Sequence, residues 1–115
     1  MDSILTSTKK LCGGIAKDVT SFDDELILFI NSIFFDLYQM GIGPKKVFRI
    51  ADANTLWEEF VPEDDPLHEI CKTYVGSKTR LRFDPPANSN VMQALKDTIN
   101  ECEWRMYIDA ETRKS

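Results

Sequence analysis

The side chains that could carry chemistry in this sequence centre on its single histidine. His68 lies three positions before Cys71, so on a helix the two could bind one metal ion, with Cys102 as a third ligand. These residues lack the short ligand spacing of metal-binding fingers, and a histidine beside a core cysteine explains the same pattern. The sequence also contains no phosphate-binding glycine loop, so we predict a protein without catalytic residues, metal or other cofactor.

Runs of acidic residues are the second possible source of chemistry. They lie at Asp23-Asp24, at Glu58-Glu59 and at Glu63-Asp64-Asp65. Acid–base catalysis needs carboxyl groups in contrasting environments that face a common cleft. These runs fall at predicted helix starts and in a loop, where helix capping and solvation explain them. They therefore favour a protein that is not an enzyme.

A candidate basic face lies on the third predicted helix, formed by Lys72, Lys78, Arg80 and Arg82. Lys78 and Arg82 are four positions apart and share one side of the helix. Such a face is either an ordinary solvated surface or one that meets phosphates or an acidic neighbour, and the pattern leaves both interpretations open. The net charge of −5 argues against an autonomous DNA-binding domain, which would need an excess of lysine and arginine.

The composition is that of an ordinary globular protein. Hydrophobic residues make up 43% and charged residues 29%, and a chain of 115 residues indicates one domain. The three cysteines are far apart, so we expect reduced thiols rather than a disulfide framework. The longest apolar block, residues 26–38, is too short and too polar to span a bilayer, and the first residues lack the features of a signal peptide. We expect a soluble protein that is made in the cytoplasm and has no membrane partner.

Glycine and proline residues divide the chain into segments whose apolar residues have helical spacing. We predict helices over about residues 3–11, 21–40 and 66–83, and a fourth from Asn88 or Ser89 onward. The second has Ser21 as its candidate N-cap and is apolar on nearly all sides, which is typical of a helix buried in the core or covered by other subunits. Gly76, in the third, costs about 1 kcal/mol relative to alanine, and a closely packed neighbouring backbone would explain it.

The connection over residues 42–65 is long for a small domain, and such connections are often functional. We predict a short extended piece at 47–50 and a brief helix at 55–60 that Asn54 caps. The expected fold is all-α, a small bundle of about four helices with a long loop between the second and third main helices. Residues 1–115 form a single domain in this interpretation, and the polar residues 109–115 form a flexible tail.

Three aromatic residues, Trp57, Trp104 and Tyr107, are candidates for contacts with other proteins. Trp104 stands between Glu103 and Arg105, which predicts a position away from the main core stripe, where aromatic side chains often anchor interfaces. An aromatic side chain at the edge of the core explains the same pattern equally well.

Several segments, taken in order, resemble a known family. They are Ile4-Leu5-Thr6-Ser7-Thr8-Lys9-Lys10-Leu11, Thr20-Ser21-Phe22-Asp23, Gly41-Ile42-Gly43-Pro44, Trp57-Glu58-Glu59-Phe60, Arg80-Leu81-Arg82-Phe83-Asp84-Pro85-Pro86 and Glu103-Trp104-Arg105. Their order over about residues 3–107 resembles the head–tail connector proteins of long-tailed phages and prophages of Gram-positive bacteria. The chain departs from the family pattern at Cys12-Gly13-Gly14 and at Gly76.

The resemblance implies an adaptor subunit of the virion neck, assembled in the host cytoplasm. It implies a homo-oligomeric ring of about twelve copies that docks beneath the portal protein and meets a downstream neck, stopper or tail protein. DNA would pass through the ring without sequence recognition, and the family implies no enzymatic activity and no cofactor. Our candidate contacts between subunits or to the portal are Val47, Phe48, Arg49, Ile50, Trp57, Trp104, Arg105 and Tyr107. Lys78 and Arg82 are our candidates for the channel or an acidic neighbour.

Three other functions remain open at this stage. A monomeric helical interaction module would be a stable monomer with little exposed apolar surface. A small metal-dependent enzyme would use His68, Cys71 and Cys102. Another phage neck component, such as a stopper or tail-completion protein, would be expected to contain more β-strand.

Overall fold

The computed structural model describes residues 3–114, which form a small bundle of four α-helices. The helices are α1 (Ile4–Leu11), α2 (Asp23–Gln39), α3 (Leu67–Phe83) and α4 (Ser89–Lys114), with one 3₁₀ turn at Trp57–Glu59. No β-strand occurs within the described residues, and none of their helices is long and apolar enough to cross a membrane. The predicted all-α bundle is confirmed.

Helix α1 begins at a side-chain cap and ends at two glycines. The Oγ of Ser3 accepts a hydrogen bond from the backbone N–H of Thr6 at 3.1 Å, which satisfies one of the free donors at the helix start. Gly13 and Gly14 have φ angles of 78° and 74°, a conformation that favours glycine and ends the helix. The helix therefore stops where the sequence predicts.

The start of α2 differs from the prediction. Phe22, and not Ser21, occupies the N-cap position, and no side chain caps the helix. The backbone N–H of Asp23 donates to the carbonyl oxygen of Thr20 at 3.1 Å, so a backbone turn sets the start. The Asp23 carboxylate in the first turn is paired with Lys9, with 2.9 Å between Nζ and Oδ1.

Helix α2 buries only one of its apolar sides. Leu26, Ile30, Ile33, Phe34 and Leu37 are buried, in the i, i+4, i+7 spacing of a core-facing stripe. Other apolar residues of the same helix remain exposed. The helix is thus covered on one side by this subunit, and its other side is left to solvent or to another molecule.

The connection between α2 and α3 folds over the core and does not form a strand. Asn31 holds it: the N–H of Ile50 donates to Oδ1 of Asn31 at 2.8 Å, and Nδ2 of Asn31 donates to the carbonyl of Ile50 at 3.0 Å. The rings of Phe48 and Phe60 pack at steep angles against the ring of Phe34, with centroids 5.1 and 4.7 Å from it. Aromatic pairs at such distances add to the packing energy.

The predicted cap of the brief helix in this connection is wrong. Leu56, and not Asn54, is the N-cap of the 3₁₀ turn. The carboxylate of Glu59 accepts the N–H of Leu56 at 2.7 Å, while the N–H of Asn54 donates to Asp52. A carboxylate that reaches back from the end of the turn thus replaces the expected asparagine cap.

Helix α3 packs against α1, α2 and α4, and Gly76 lies where it meets α1. A Cβ at Gly76 would lie 2.3 Å from Cδ1 and 2.9 Å from Cβ of Leu11. The neighbour is therefore mainly a side chain and not the backbone that we predicted. Leu11 closes the end of α1 against α3, and glycine is required for that contact.

Asn88 precedes α4, and its Oδ1 accepts the N–H groups of Asn90 and Val91 at 2.8 and 3.1 Å, as predicted for this position. The helix continues to Lys114, through most of the segment expected to be a flexible tail. Arg113 pairs there with Asp65, with 3.0 Å between Nη2 and Oδ1. Ser115, the last residue of that predicted tail, lies outside the described residues.

Candidate assembly surfaces

The residues considered for a metal site serve the core. His68 is buried, and its Nδ1 lies 3.0 Å from the carbonyl oxygen of Val61. Because a carbonyl only accepts, this nitrogen carries the proton. Cys71 and Cys102 are buried, and burial raises the pKa of the Cys71 thiol to about 12. Within residues 3–114 no three histidine, cysteine, aspartate or glutamate side chains are grouped to hold a metal ion.

The acidic runs serve separate structural contacts. Asp23 pairs with Lys9, Glu59 caps the 3₁₀ turn, and Asp65 accepts the N–H of Leu67 at 2.9 Å. Their carboxylates thus have separate partners in the first turn of α2, in the connection and at the start of α3. One residue of each run thus has a structural role, while Oε2 of Glu58 is buried without a hydrogen-bond partner among the described residues.

The predicted basic face is not one continuous surface. Lys72 pairs with Glu69 at 3.6 Å. Lys78 and Arg82 both reach α2, where Nζ of Lys78 lies 3.7 Å from Asp36 and Arg82 donates to Ser32 at 3.4 Å. The side chain of Lys78 is only 20% exposed, and its ammonium group pairs with Asp36 within the subunit.

Arg80 lies on yet another side of α3. It is close enough to Cys12 that its charge opposes the burial that raises the pKa of that thiol to about 11. Its Nε is buried without a hydrogen-bond partner among the described residues. Arg80 therefore faces the end of α1 and not a shared basic surface.

Three of the predicted contact residues lie inside the subunit. Ile50 and Trp57 are 3% and 1% exposed, and Phe48 is partly buried against Phe34 and Phe60. Asn31 anchors the connection so that these apolar side chains turn inward. In this subunit Ile50 and Trp57 have no side chain at the surface and Phe48 exposes only part of its ring, so their contacts with other subunits stay a prediction.

The first exposed apolar surface lies on α2. We define the α2 surface as Leu28, Phe35, Tyr38 and Val47, with Arg49 at its edge. Leu28 is 71% exposed, and Phe35, Tyr38 and Val47 are also exposed. Between α2 and the connection this surface contains a groove of about 330 Å³, which Leu28, Phe35, Val47 and Arg49 help to line. Val47 and Arg49 were predicted as contacts, whereas Leu28 was not.

The second exposed apolar surface lies on α4. We define the α4 surface as Trp104, Tyr107 and Ile108. Trp104 is 62% exposed, and its ring stacks on that of Tyr107 with 6.0 Å between centroids. Trp104 and Ile108 also border a groove of about 390 Å³ against Ile70 of α3. The neighbouring Arg105, another predicted contact, is exposed and pairs with Glu101 at 2.7 Å.

A chain of polar contacts fixes the two surfaces relative to each other. The hydroxyl of Tyr74 on α3 donates to Glu103 of α4 at 2.9 Å and accepts from Lys78 at 3.1 Å. Lys78 in turn pairs with Asp36 of α2. Burial, together with the hydrogen bond to Glu103, raises the pKa of Tyr74. Helix α3 packs against both α2 and α4, so the two surfaces lie on different helices that α3 joins.

Sequence comparison extends over both surfaces. The profile of the family described as phage connector protein matches residues 4–113, which include all four helices except the last residue of α4. No curated protein and no solved structure shows a significant match. The match covers nearly the entire chain. The chain belongs to the phage connector protein family, a family of structural proteins of the phage head–tail connector.

Proposed function

We propose that copies of this chain form a closed ring in the virion neck, with about twelve subunits, as the family resemblance implies. The ring docks beneath the portal protein, continues the DNA channel and offers its lower side to a neck, stopper or tail protein. The role is structural and requires no catalytic residue or cofactor. The proposal locates the chain in the neck of the particle, between the portal and the next neck or tail protein.

The observation that carries this proposal is the presence of two separate exposed apolar surfaces on one small subunit. Large contiguous apolar patches on a soluble protein usually mark contacts with other proteins. Every subunit of a closed ring touches two neighbours through two different patches. The α2 surface and the α4 surface are our candidates for these two patches, since they lie on different helices.

Passage of DNA through the ring agrees with the charge of the chain. A protein that holds DNA does so by neutralising phosphates with lysine and arginine. This chain has a net charge of −5, which favours release over retention. Lys78 is engaged with Asp36 and Tyr74, so Arg82 is the better candidate of the two for the channel or for an acidic neighbour.

A phage that lacks this chain provides the test. We expect capsids and tails to accumulate separately, with DNA lost from the unjoined capsids, and electron microscopy to show no joined particles. Supplying the chain in trans should restore joined particles. Normal numbers of joined, infectious particles in its absence would rule the proposal out. A matched control that removes a tail protein should leave capsids that keep their DNA.

A further inference from the structure

We propose that the contact between neighbouring subunits is heterologous: the α4 surface of one copy binds the α2 surface of the next copy. This inference rests on the ring of the proposed function and assigns its interface. Each of the two surfaces is therefore covered by another copy of this chain.

The α2 surface offers a groove, and the α4 surface offers an exposed aromatic pair that could enter it. On α2, the groove beside Leu28 and Val47 is a depression of about 330 Å³ between a helix and an extended segment. On α4, Trp104 and Tyr107 form a stacked pair that is mostly exposed. Rigid aromatic side chains that fill a pocket on the partner are the usual centre of a protein interface.

Acidic residues border the α4 surface. Asp97, Glu101, Trp104, Ile108 and Glu111 follow one another at alternating intervals of four and three positions, which places them on one side of the helix. All five are exposed. The aromatic pair thus has carboxylates toward both ends of α4, of which Glu101 is paired with Arg105 at 2.7 Å.

Basic residues border the α2 surface on the side of the connection, while Asp24 and Glu25 precede Leu28 by one turn on the helix itself. Lys45 and Lys46 directly precede Val47, and Arg49 lines the groove itself. All three are exposed. Two copies of the basic edge formed by Lys45, Lys46 and Arg49 would bring like charges together, which costs energy. A contact between unlike surfaces brings this basic edge toward the carboxylates of α4, such as Asp97, which favours the head-to-tail arrangement.

Two single variants and their mixture test the pairing. Leu28→Glu places a charge in the α2 surface, and Trp104→Glu removes the anchor of the α4 surface. Val91→Glu is the matched control, because Val91 is also exposed and apolar on α4 but lies about 20 Å along the helix from Trp104. Circular dichroism checks that each variant keeps its helices, and light scattering gives its mass, with portal present if the ring needs it.

We expect rings from the wild type and from Val91→Glu, and we expect each of the other variants to lose affinity for itself on the order of a hundredfold. In an equal mixture, the Leu28→Glu variant still has an intact α4 surface and the Trp104→Glu variant still has an intact α2 surface. These two surfaces can form one contact. The mixture should therefore stop at the heterodimer. Rings from either variant alone, or homodimers of one of them, would overturn the assignment while the ring itself stood.

A cross-linking measurement remains decisive if a glutamate variant fails to fold. Leu28→Cys and Trp104→Cys are milder changes, and the three native cysteines are buried. A bifunctional maleimide should join the two variants into a heterodimer when they are mixed, and neither should cross-link with itself. Equal self-cross-linking of one variant would contradict the pairing. If the wild type forms no ring, either alone or on the portal, both the proposed function and this interface assignment fail.

Discussion

Replacing Lys9 by methionine should destabilise the subunit strongly, although lysine is usually a surface residue. Lys9 is 2% exposed, and its Nζ lies 2.9 Å from Oδ1 of Asp23. The same ammonium donates to the carbonyl oxygens of Lys17 and Val19. It therefore fastens the segment between α1 and α2 as well as the two helices.

The size of the effect follows from what Lys9→Met leaves behind. Removing one partner of a buried ion pair costs about 3–5 kcal/mol, because the other charge stays buried without compensation. The side chain of Asp23 is 21% exposed, so water can partly solvate it and the lower end of the range applies. We expect the free energy of unfolding to fall by about 3 kcal/mol, and the Tm by about 10 °C.

Urea unfolding followed by circular dichroism measures this loss, at a protein concentration where light scattering reports a monomer. Lys96→Met is the control, because Lys96 is exposed on α4 and its loss should change stability by less than about 0.5 kcal/mol. The double variant Lys9→Met, Asp23→Asn should lose about 2 kcal/mol less than the sum of the single variants. A loss below about 0.5 kcal/mol for Lys9→Met, or strict additivity, would refute the reasoning.

Three further predictions concern the packing of the bundle. Gly76→Ala should lower stability by about 1–2 kcal/mol in denaturant unfolding, because the clash with Leu11 outweighs the better helix propensity of alanine. Asn31→Ala should free the connection at Ile50 and increase its hydrogen exchange, since two hydrogen bonds to the backbone are lost. Burial raises the pKa of the Cys71 thiol to about 12, so the unfolded chain loses the thiol proton at a lower pH than the folded chain does. The free energy of unfolding should therefore fall as pH rises from about 9 toward 12.

Each of the three has a defined contradiction. The double variant Leu11→Ala, Gly76→Ala should lose less stability than the sum of the two single variants. A loss equal to or larger than that sum would contradict the proposed clash. Unchanged hydrogen exchange at residues 47–50 in Asn31→Ala would show that the amide does not hold the connection. For the alkaline effect, Cys71→Ala should show a shallower decline between pH 9 and 12. An identical slope would exclude the buried thiol as its source.

The helices could be predicted from the sequence because their signals are local. Gly13-Gly14 and Asp84-Pro85-Pro86 end two helices, and the apolar spacing between such breaks identifies the buried sides. The exposed position of Trp104 could be anticipated as well, because charged residues flank it. These features depend on neighbours within a few positions.

The remaining features depend on contacts between distant segments. No local pattern signals that the amide of Asn31 binds Ile50, nineteen positions later, and this contact turns the apolar residues of the connection inward. The burial of Lys9 follows likewise from its distant partners in the segment before α2 and at the start of that helix. Lys78 and Arg82 of α3 likewise have partners on α2, which no local pattern signals.

The most direct test of the central claim is the mass and image of the purified chain mixed with the portal of the phage that encodes it. We predict a closed ring of this chain seated on one end of the portal, visible by negative-stain microscopy and matched in mass by light scattering. A chain that stays monomeric and does not bind the portal would contradict the account and leave a small helical interaction module in its place.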